Sequence, residues 1–255
     1  MRTFRALFLA TVAILFVCCA NAGVIYDNGP LITHPGGGFG GADASAVQTA
    51  LGFTTYGFGA QQSAGNRLAD DFTVPGGGWT ISSVILFAYQ TGAPTSPSTI
   101  TGVTLQIWNG PPGAGGSVIW GDTATNRLLS SGFSNIYRVL DTGLSNTDRP
   151  IMQNTVSLGV TLGPGTYWLA WDFAGSGLYS GPWNPPVTIL GQTTTGNARQ
   201  YTGAWADITD SGTFTQQGLP FILEGTAGAI PEPSTFGLLA FGVGALALMS
   251  RRRKR

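Results

Sequence analysis

Apolar and polar residues alternate with period two at several places between residues 70 and 224. This period places successive side chains on opposite faces of an extended chain, and it is typical of half-buried β-strands. The clearest examples are VTLQIW (103–108), VSLGVTL (156–162) and TYWLAWDF (166–173). In the last of these, the alternation puts Tyr167, Leu169, Trp171 and Phe173 on one side.

Glycine and proline interrupt the alternating stretches and predict turns. GPG (163–165) separates the second and third of them, and GGG (76–78) separates DDFTVP from WTISSVILFAY. Two strands around such a short turn indicate a hairpin, so we expect two hairpins here. A last strand, LPFILEG, is expected to end near Glu224.

One segment, DASAVQTAL (43–51), has the pattern of a short helix. Many short strands with a single helix indicate an all-β domain, and we expect a β-sandwich of jelly-roll type. Glycine is abundant, with 39 of 255 residues, and charged residues make up 9%. The apolar fraction of 43% is too high for a disordered chain.

The formal net charge of zero conceals three segments of different charge. Residues 1–22 carry +2, residues 23–230 carry eleven acids against five arginines, or −6, and residues 231–255 carry +4. We therefore predict three parts: a signal peptide (1–22), an ectodomain (23–230) and a C-terminal tail (231–255). The acidic middle part excludes a nucleic-acid partner, because a polyanion would be repelled.

The first segment resembles a secretory signal peptide. Two arginines precede an apolar stretch, and Ala20 and Ala22 are the small residues of a signal-peptidase site, so we expect export and cleavage before Gly23. An uncleaved anchor is the alternative. Cys18 and Cys19 lie in the part to be removed, which leaves the mature chain without thiols for a disulfide or a metal.

The tail combines three features in a fixed order. Pro231, Glu232 and Pro233 are followed by an uncharged apolar run and then by a cationic terminus, Arg251, Arg252, Arg253, Lys254 and Arg255. The run 236–249 covers about 21 Å as a helix, and its flanking residues extend it toward the roughly 30 Å of a bilayer core. We expect a membrane helix at about 235–250, with the cations in the cytoplasm and the ectodomain outside.

This order of motif, apolar helix and basic terminus resembles the PEP-CTERM sorting signal of exopolysaccharide-producing Gram-negative bacteria. The resemblance implies recognition by an exosortase, a membrane-embedded transpeptidase-like enzyme, after the inner membrane has held the protein transiently. It also implies a mature form at the cell surface or in the extracellular, exopolysaccharide-rich matrix of a biofilm. The stretches LADDFTVPGGGWTISSV and LGPGTYWLAW loosely resemble ectodomains that carry such tails.

Catalytic and cofactor signals are weak in the ectodomain. His34 is the single histidine, and no GxSxG motif occurs, so we predict neither an enzyme nor a cofactor. Asp70 and Asp71 point to opposite faces of a strand and cannot act as a pair. Asp207 and Asp210 are weak calcium candidates, because the segment has few other oxygen ligands.

Three tryptophans complete the list of candidate residues. Trp108, Trp168 and Trp183 fall on polar strand faces or in a loop, where they could stack on sugar rings or be buried by a second layer. The sequence therefore favours a non-enzymatic surface protein. A carbohydrate-binding module acting on exopolysaccharide is the alternative, and an exported hydrolase is the least supported class.

Overall fold

A computed structural model describes residues 23–228, and every structural statement below refers to this part of the chain. The predicted signal peptide, the sorting motif, the membrane helix and the basic cluster lie outside the described residues. Within 23–228, no helix is long and apolar enough to cross a membrane. The described residues form strands with three short 3₁₀ segments, which confirms the all-β prediction.

The strands form two sheets. The larger sheet has the order β1-β14-β5-β9-β8-β2, with β11 attached to β5 and β3 attached to β11. All its pairs are antiparallel except β2 with β8. Its members are β1 (Gly23–Asp27), β2 (Asp43–Val47), β3 (Phe58–Gly59), β5 (Trp79–Thr91), β8 (Leu128–Leu140), β9 (Pro150–Leu162), β11 (Ser180–Asn184) and β14 (Phe221–Ala227).

The smaller sheet has six antiparallel strands in the order β13-β12-β4-β10-β6-β7. They are β4 (Arg67–Val74), β6 (Ile100–Trp108), β7 (Val118–Asp122), β10 (Gly165–Gly175), β12 (Arg199–Tyr201) and β13 (Trp205–Asp207). The three 3₁₀ segments are Phe39–Gly41, Thr49–Leu51 and Gln62–Ala64.

The two sheets pack face to face around one apolar core. Most of the alternating residues on one side of β6 and β10 enter this core, including Leu105, Ile107, Leu169, Trp171 and Phe173, whereas Tyr167 packs half-buried at its edge. They meet buried side chains of β5, β9 and β14 from the other sheet. Burial of this apolar surface is the main stabilising contribution to the fold. The more specific jelly-roll arrangement stays a prediction.

Both predicted hairpins are wrong. β4 belongs to the smaller sheet and β5 to the larger one, so the turn at 75–78 carries the chain from one sheet to the other. The turn at 163–165 does the same between β9 and β10. A short glycine-rich turn can form either a hairpin within one sheet or an arch between two sheets. Which of the two forms depends on the strands, distant in sequence, that pair with the strands on either side of the turn.

The predicted helix at 43–51 is also wrong. Residues 43–47 form β2, which runs parallel to β8, and a single 3₁₀ turn follows at Thr49–Leu51. Ala44 and Ala46 are fully buried beside Tyr137 and Val139. The polar and apolar residues of this segment fit both the spacing of a strand and that of a helix. Hydrogen bonding to β8 stabilises the strand.

Each sheet carries additional apolar contacts on its outer face. On the larger sheet, Ile85, Phe87 and Tyr89 of β5 are covered by Leu31 and the half-buried Tyr56, among others. β5 is therefore buried on both faces from Val84 to Gln90. On the smaller sheet, a second cluster contains two of the three candidate tryptophans, Trp108 and Trp168.

Candidate functional site

Trp108 and Trp168 are directly opposite each other on β6 and β10, on the outer face of the smaller sheet. They form a cluster with Ala69, Ala170 and Trp205. Trp168 is 6% exposed, so it offers no free ring face, whereas Trp108 and Trp205 are half-buried. The rings of Trp108 and Trp205 meet edge to face, with centroids 6.1 Å apart.

Two further side chains extend this cluster across the sheet. The guanidinium carbon of Arg67 lies 4.5 Å from the ring centroid of Tyr201 and 5.8 Å from that of Trp205. Tyr201 and Trp205 are themselves neighbours, with centroids 5.6 Å apart. We call Arg67, Trp108, Tyr201 and Trp205 the aromatic patch; all four are half-buried.

Sequence reasoning did not find Arg67 as a partner of Tyr201. The two residues are 134 positions apart, and they meet because β12 pairs with β4 in a register that aligns Tyr201 with Arg67. The available signal was the alternation of β4, which puts Arg67, Ala69 and Asp71 on one face. Nothing in the local pattern identifies the strand that lies beside them.

An acidic residue lies next to the patch. Asp172 of β10 is buried, and the hydroxyl of Thr104 donates a 2.8 Å hydrogen bond to its Oδ1. Burial raises the pKa of Asp172 to about 6, although the Thr104 hydrogen bond and the charge of Arg67 act in the opposite direction. The Asp172 carboxyl group therefore offsets the charge of Arg67 in part, and more completely as the pH rises above about 6.

Trp183 lies apart from the other two tryptophans. It belongs to β11 in the larger sheet and packs, half-buried, against the outer apolar cluster of that sheet. Its Nε1–H donates to the hydroxyl of Ser180 at 3.3 Å. The structure thus places Trp108 and Trp168 together and Trp183 elsewhere, so the three residues do not form one platform.

A cleft of about 430 Å³ opens near Trp183, at the end of β10. Its lining includes Gln62, Ser63, Tyr179 and Pro182, and it contains no charged residue. The buried side chain of Gln90 fixes one wall, because its Nε2 donates to the carbonyls of Ser176 and Tyr179 at 2.9 and 3.1 Å. Carboxamide and hydroxyl groups beside an aromatic ring are suited to neutral polar ligands.

The two calcium candidates, Asp207 and Asp210, interact with different parts of the protein. Asp207 lies 3.1 Å from Nε of Arg199, an ion pair whose geometry falls short of a hydrogen bond. Asp210 is 1% exposed and accepts backbone N–H groups from Thr55, Gly212 and Thr213 at 2.8 to 2.9 Å. Within 23–228, no three His, Cys, Asp or Glu side chains come together as a metal site would require.

The electrostatics of Asp210 follow from those donors. Burial raises its pKa, but the N–H groups of Thr213, Thr55 and Gly212 together hold the pKa below the ordinary aspartate value. Asp210 thus connects the loop at 54–55 to the turn at 211–213. Its oxygens are occupied by the protein's own backbone.

Asp70 and Asp71 lie on opposite sides of β4. Asp70 is 2% exposed at the core, and its Oδ2 accepts hydrogen bonds from Leu219 N and Asn28 Nδ2 at 2.7 and 2.8 Å. Burial raises the pKa of Asp70 to about 7, against the effect of these donors. The expectation that the two carboxylates cannot flank one bond agrees with this placement.

Arg138 is the most deeply buried cation of the described residues, at 1% exposure. Its guanidinium donates to the carbonyls of Tyr56 (2.7 Å) and Thr55 (3.2 Å), and to the hydroxyls of Ser45 (3.0 Å) and Thr188 (3.1 Å). Burial lowers its pKa to about 10. The side chain joins four segments of the fold, and the cavity that it borders, of about 10 Å³, has room for about one water molecule.

Comparison with known proteins identifies the tail. The family model described as the PEP-CTERM protein-sorting motif matches residues 229–254. This chain carries a PEP-CTERM sorting signal. The signal begins at the residue directly after Gly228, where the described body ends, and it marks an exported protein with a membrane-anchored signal that an exosortase processes.

The same comparisons find no match for the body. No curated protein and no solved structure matches the chain.

Proposed function

We propose that this chain is a non-enzymatic protein of the cell surface or extracellular matrix, sorted by an exosortase. The secretion machinery exports it, signal peptidase cleaves after Ala22, and the tail holds it in the inner membrane with its C-terminus in the cytoplasm. Exosortase then removes the tail and releases the sandwich for the surface. The observation that carries this proposal is the sorting motif at 229–254, directly after the folded body.

The described residues support a binding or structural role in preference to catalysis. The buried ionisable groups, Asp70, Asp172, Asp210 and Arg138, are all hydrogen-bonded within the fold. The 430 Å³ cleft has no charged lining. General acid–base catalysis most often uses a histidine or a carboxylate within reach of the substrate, and neither lines this cleft.

Mass spectrometry of the surface fraction tests the sorting route. The mature protein should begin at Gly23 and yield no peptide from residues 236–249. Replacing Pro231, Glu232 and Pro233 together by alanine should leave the tail attached, and Pro35→Ala, an exposed proline of the body, is the matched control. An intact arginine-rich terminus on the mature surface protein would contradict the proposal.

Enzymatic assays test the non-enzymatic part. The purified protein should release no reducing ends or peptide fragments from isolated envelope polymers during long incubation. Reproducible hydrolysis that is lost in an Asp172→Asn variant would establish an enzyme instead.

A second candidate function is the binding of neutral polysaccharide, and the aromatic patch favours it. Tyr201 and Trp205 are half-exposed and pack against Arg67, and half-exposed aromatic rings on a sheet surface can stack on a sugar ring. Co-sedimentation of the Tyr201→Ala and Trp205→Ala variants with neutral polysaccharides tests it. Binding equal to that of the unaltered protein in both variants would exclude the patch.

A further inference from the structure

We propose that one end of the sandwich, where β1 begins and β14 finishes, docks on the exosortase while the tail is processed. The proposal rests on the function proposed above. We define the tail end by four elements: Gly23, the arch at 75–78, the arch at 163–165, and Gly228.

Strand pairing brings these elements together. Gly23 of β1 is aligned with Gly225 of β14, so the start and the finish of the body are neighbours. The N–H of Gly228 donates a 2.8 Å hydrogen bond to the carbonyl of Gly78 in the first arch. The second arch adjoins the first, because Leu162 is aligned with Trp79. Both predicted connections to the membrane therefore leave the same end.

The tether between the body and the motif is short. Pro231 is three residues beyond Gly228, and three extended residues span at most about 11 Å. An enzyme in the membrane that acts on Pro231 to Pro233 must therefore approach the tail end to within this distance. Chain length alone therefore brings the enzyme close to the tail end.

The chemistry of the tail end suits a protein partner. A cleft of about 260 Å³ lies between the two arches, and glycine, threonine, proline, Trp79 and Leu162 form its walls. No charged residue lines it, although the body as a whole carries −6. A partner can therefore dock here without desolvating unpaired charges.

A lipid surface is a poorer occupant of the same cleft. Lipid binding requires cations for anionic headgroups or exposed large apolar side chains for the acyl region. Trp79 and Leu162 are 6% and 5% exposed, and none of the lining residues is a cation. The exosortase is thus the occupant to which we commit.

Charge substitution at the tail end tests the docking surface. At Gly76 and Gly163 an added Cβ meets no atom within 4 Å, and neither backbone is left-handed, so aspartate fits both positions. The Gly76→Asp/Gly163→Asp variant should slow loss of the tail in a pulse-chase experiment by roughly tenfold, since each charge must be desolvated at the interface. The matched control, Gly143→Asp/Gly177→Asp, alters two equally open positions at the opposite end and should be processed normally.

A longer tether distinguishes docking of the enzyme on the body from mere access of the enzyme to the sorting motif. Inserting twelve Gly/Ser residues between Gly228 and Ala229 should also slow processing if the body contributes to recognition. If the insertion instead restores normal processing to the aspartate variant, the tail end merely obstructs the enzyme and the proposal is wrong. Normal processing of the aspartate variant without any insertion would also overturn it.

Cysteine labelling identifies the occupant. The predicted mature chain lacks cysteine, so Gly76→Cys would be a unique reporter, and Gly143→Cys is its control. In cells with an inactivated exosortase that still binds the tail, maleimide labelling at position 76 should fall while labelling at 143 does not. Equal protection in cells without the enzyme would mean that lipid covers this end, which would contradict the proposal. If the unaltered chain keeps its tail in cells with active enzyme, the proposed function itself fails.

Discussion

Asp70 of β4 and Leu219, two residues before β14, are joined by a hydrogen bond within the core. The backbone N–H of Leu219 donates to Oδ2 of Asp70 at 2.7 Å, where the carboxyl group is 2% exposed. A carboxylate in this position loses most of its hydration, and the donors around it compensate in part. The balance between burial and hydrogen bonding makes Asp70 a pH-sensitive element of the fold.

The stability of the protein should fall as the pH rises from about 4 to about 7. Asp70, whose pKa in the fold is about 7, and Asp172, at about 6, both hold protons that the unfolded chain releases near its ordinary aspartate pKa. The folded state therefore binds more protons than the unfolded state over this interval, and the free energy of unfolding decreases with pH. For Asp70 the full effect is on the order of 4 kcal/mol at most, because one pKa unit corresponds to 1.36 kcal/mol.

Urea denaturation at a series of pH values measures this effect. The Asp70→Asn variant should show a flatter dependence of unfolding free energy on pH. Asp71→Asn, on the outer face of the same strand, should change the slope much less, because the charge of Asp71 raises the pKa of Asp70 less than burial does. An unchanged slope in Asp70→Asn would mean that its donors keep the carboxylate charged at all these pH values.

Loss of the Arg138 side chain should destabilise the protein strongly. Arg138→Met keeps an apolar stem of similar length but leaves the carbonyls of Thr55 and Tyr56 and two hydroxyls without a donor. We expect a loss of about 3–5 kcal/mol, as for a broken buried polar network. Arg149→Met is the control: its guanidinium stacks on Tyr56 at 3.9 Å, and its loss should cost about 1 kcal/mol. Equal midpoints of urea unfolding in the two variants would contradict this role of Arg138.

Asp210 should act through hydrogen bonds, without calcium. Asp210→Ala removes the acceptor for the N–H groups of Thr55, Gly212 and Thr213, and should lower the free energy of unfolding by about 2–4 kcal/mol. Asp207→Ala breaks a partly exposed ion pair and should cost less than about 1 kcal/mol. Thermal melting followed by circular dichroism should give the same midpoint with and without EDTA. A drop of several degrees in EDTA would instead reveal a bound cation.

The sequence predicts the strands and their faces well, because alternation is a local property. Leu169, Trp171 and Phe173 enter the core as their spacing indicates. Local alternation does not predict which strands pair with each other. Val74 and Trp79 flank a turn that is compatible with a hairpin, yet they belong to different sheets, since the choice depends on strands more than eighty residues away.

The same limitation applies to the candidate sites. The sorting tail is contiguous in sequence, so its own residues are enough to identify it. The aromatic patch requires the register between β4 and β12, which no local pattern contains. Trp168 has a polar strand position but is buried, because Trp108 and small alanines enclose it on the outer face.

Polysaccharide binding, if the body provides it, should favour neutral polymers and depend little on salt. The body carries five arginines against eleven acids, and Arg138 and Arg199 have their guanidinium groups engaged within the fold. Few counterions can therefore be released on binding, and added salt should change the affinity by less than about twofold between 50 and 300 mM. Acidic exopolysaccharide should bind only when Ca²⁺ bridges carboxylates on both sides.

Alanine variants of the candidate tryptophans locate the binding surface. Trp183→Ala should reduce co-sedimentation if the uncharged cleft beside it binds the polymer, and Trp108→Ala should do so if the aromatic patch binds it. Trp168→Ala should act only through stability, because its ring is buried, so its loss of binding should follow its loss of folded protein. Tight, calcium-independent binding of an acidic polymer at low salt would contradict the electrostatic argument, since a body with a net charge of −6 repels a polyanion.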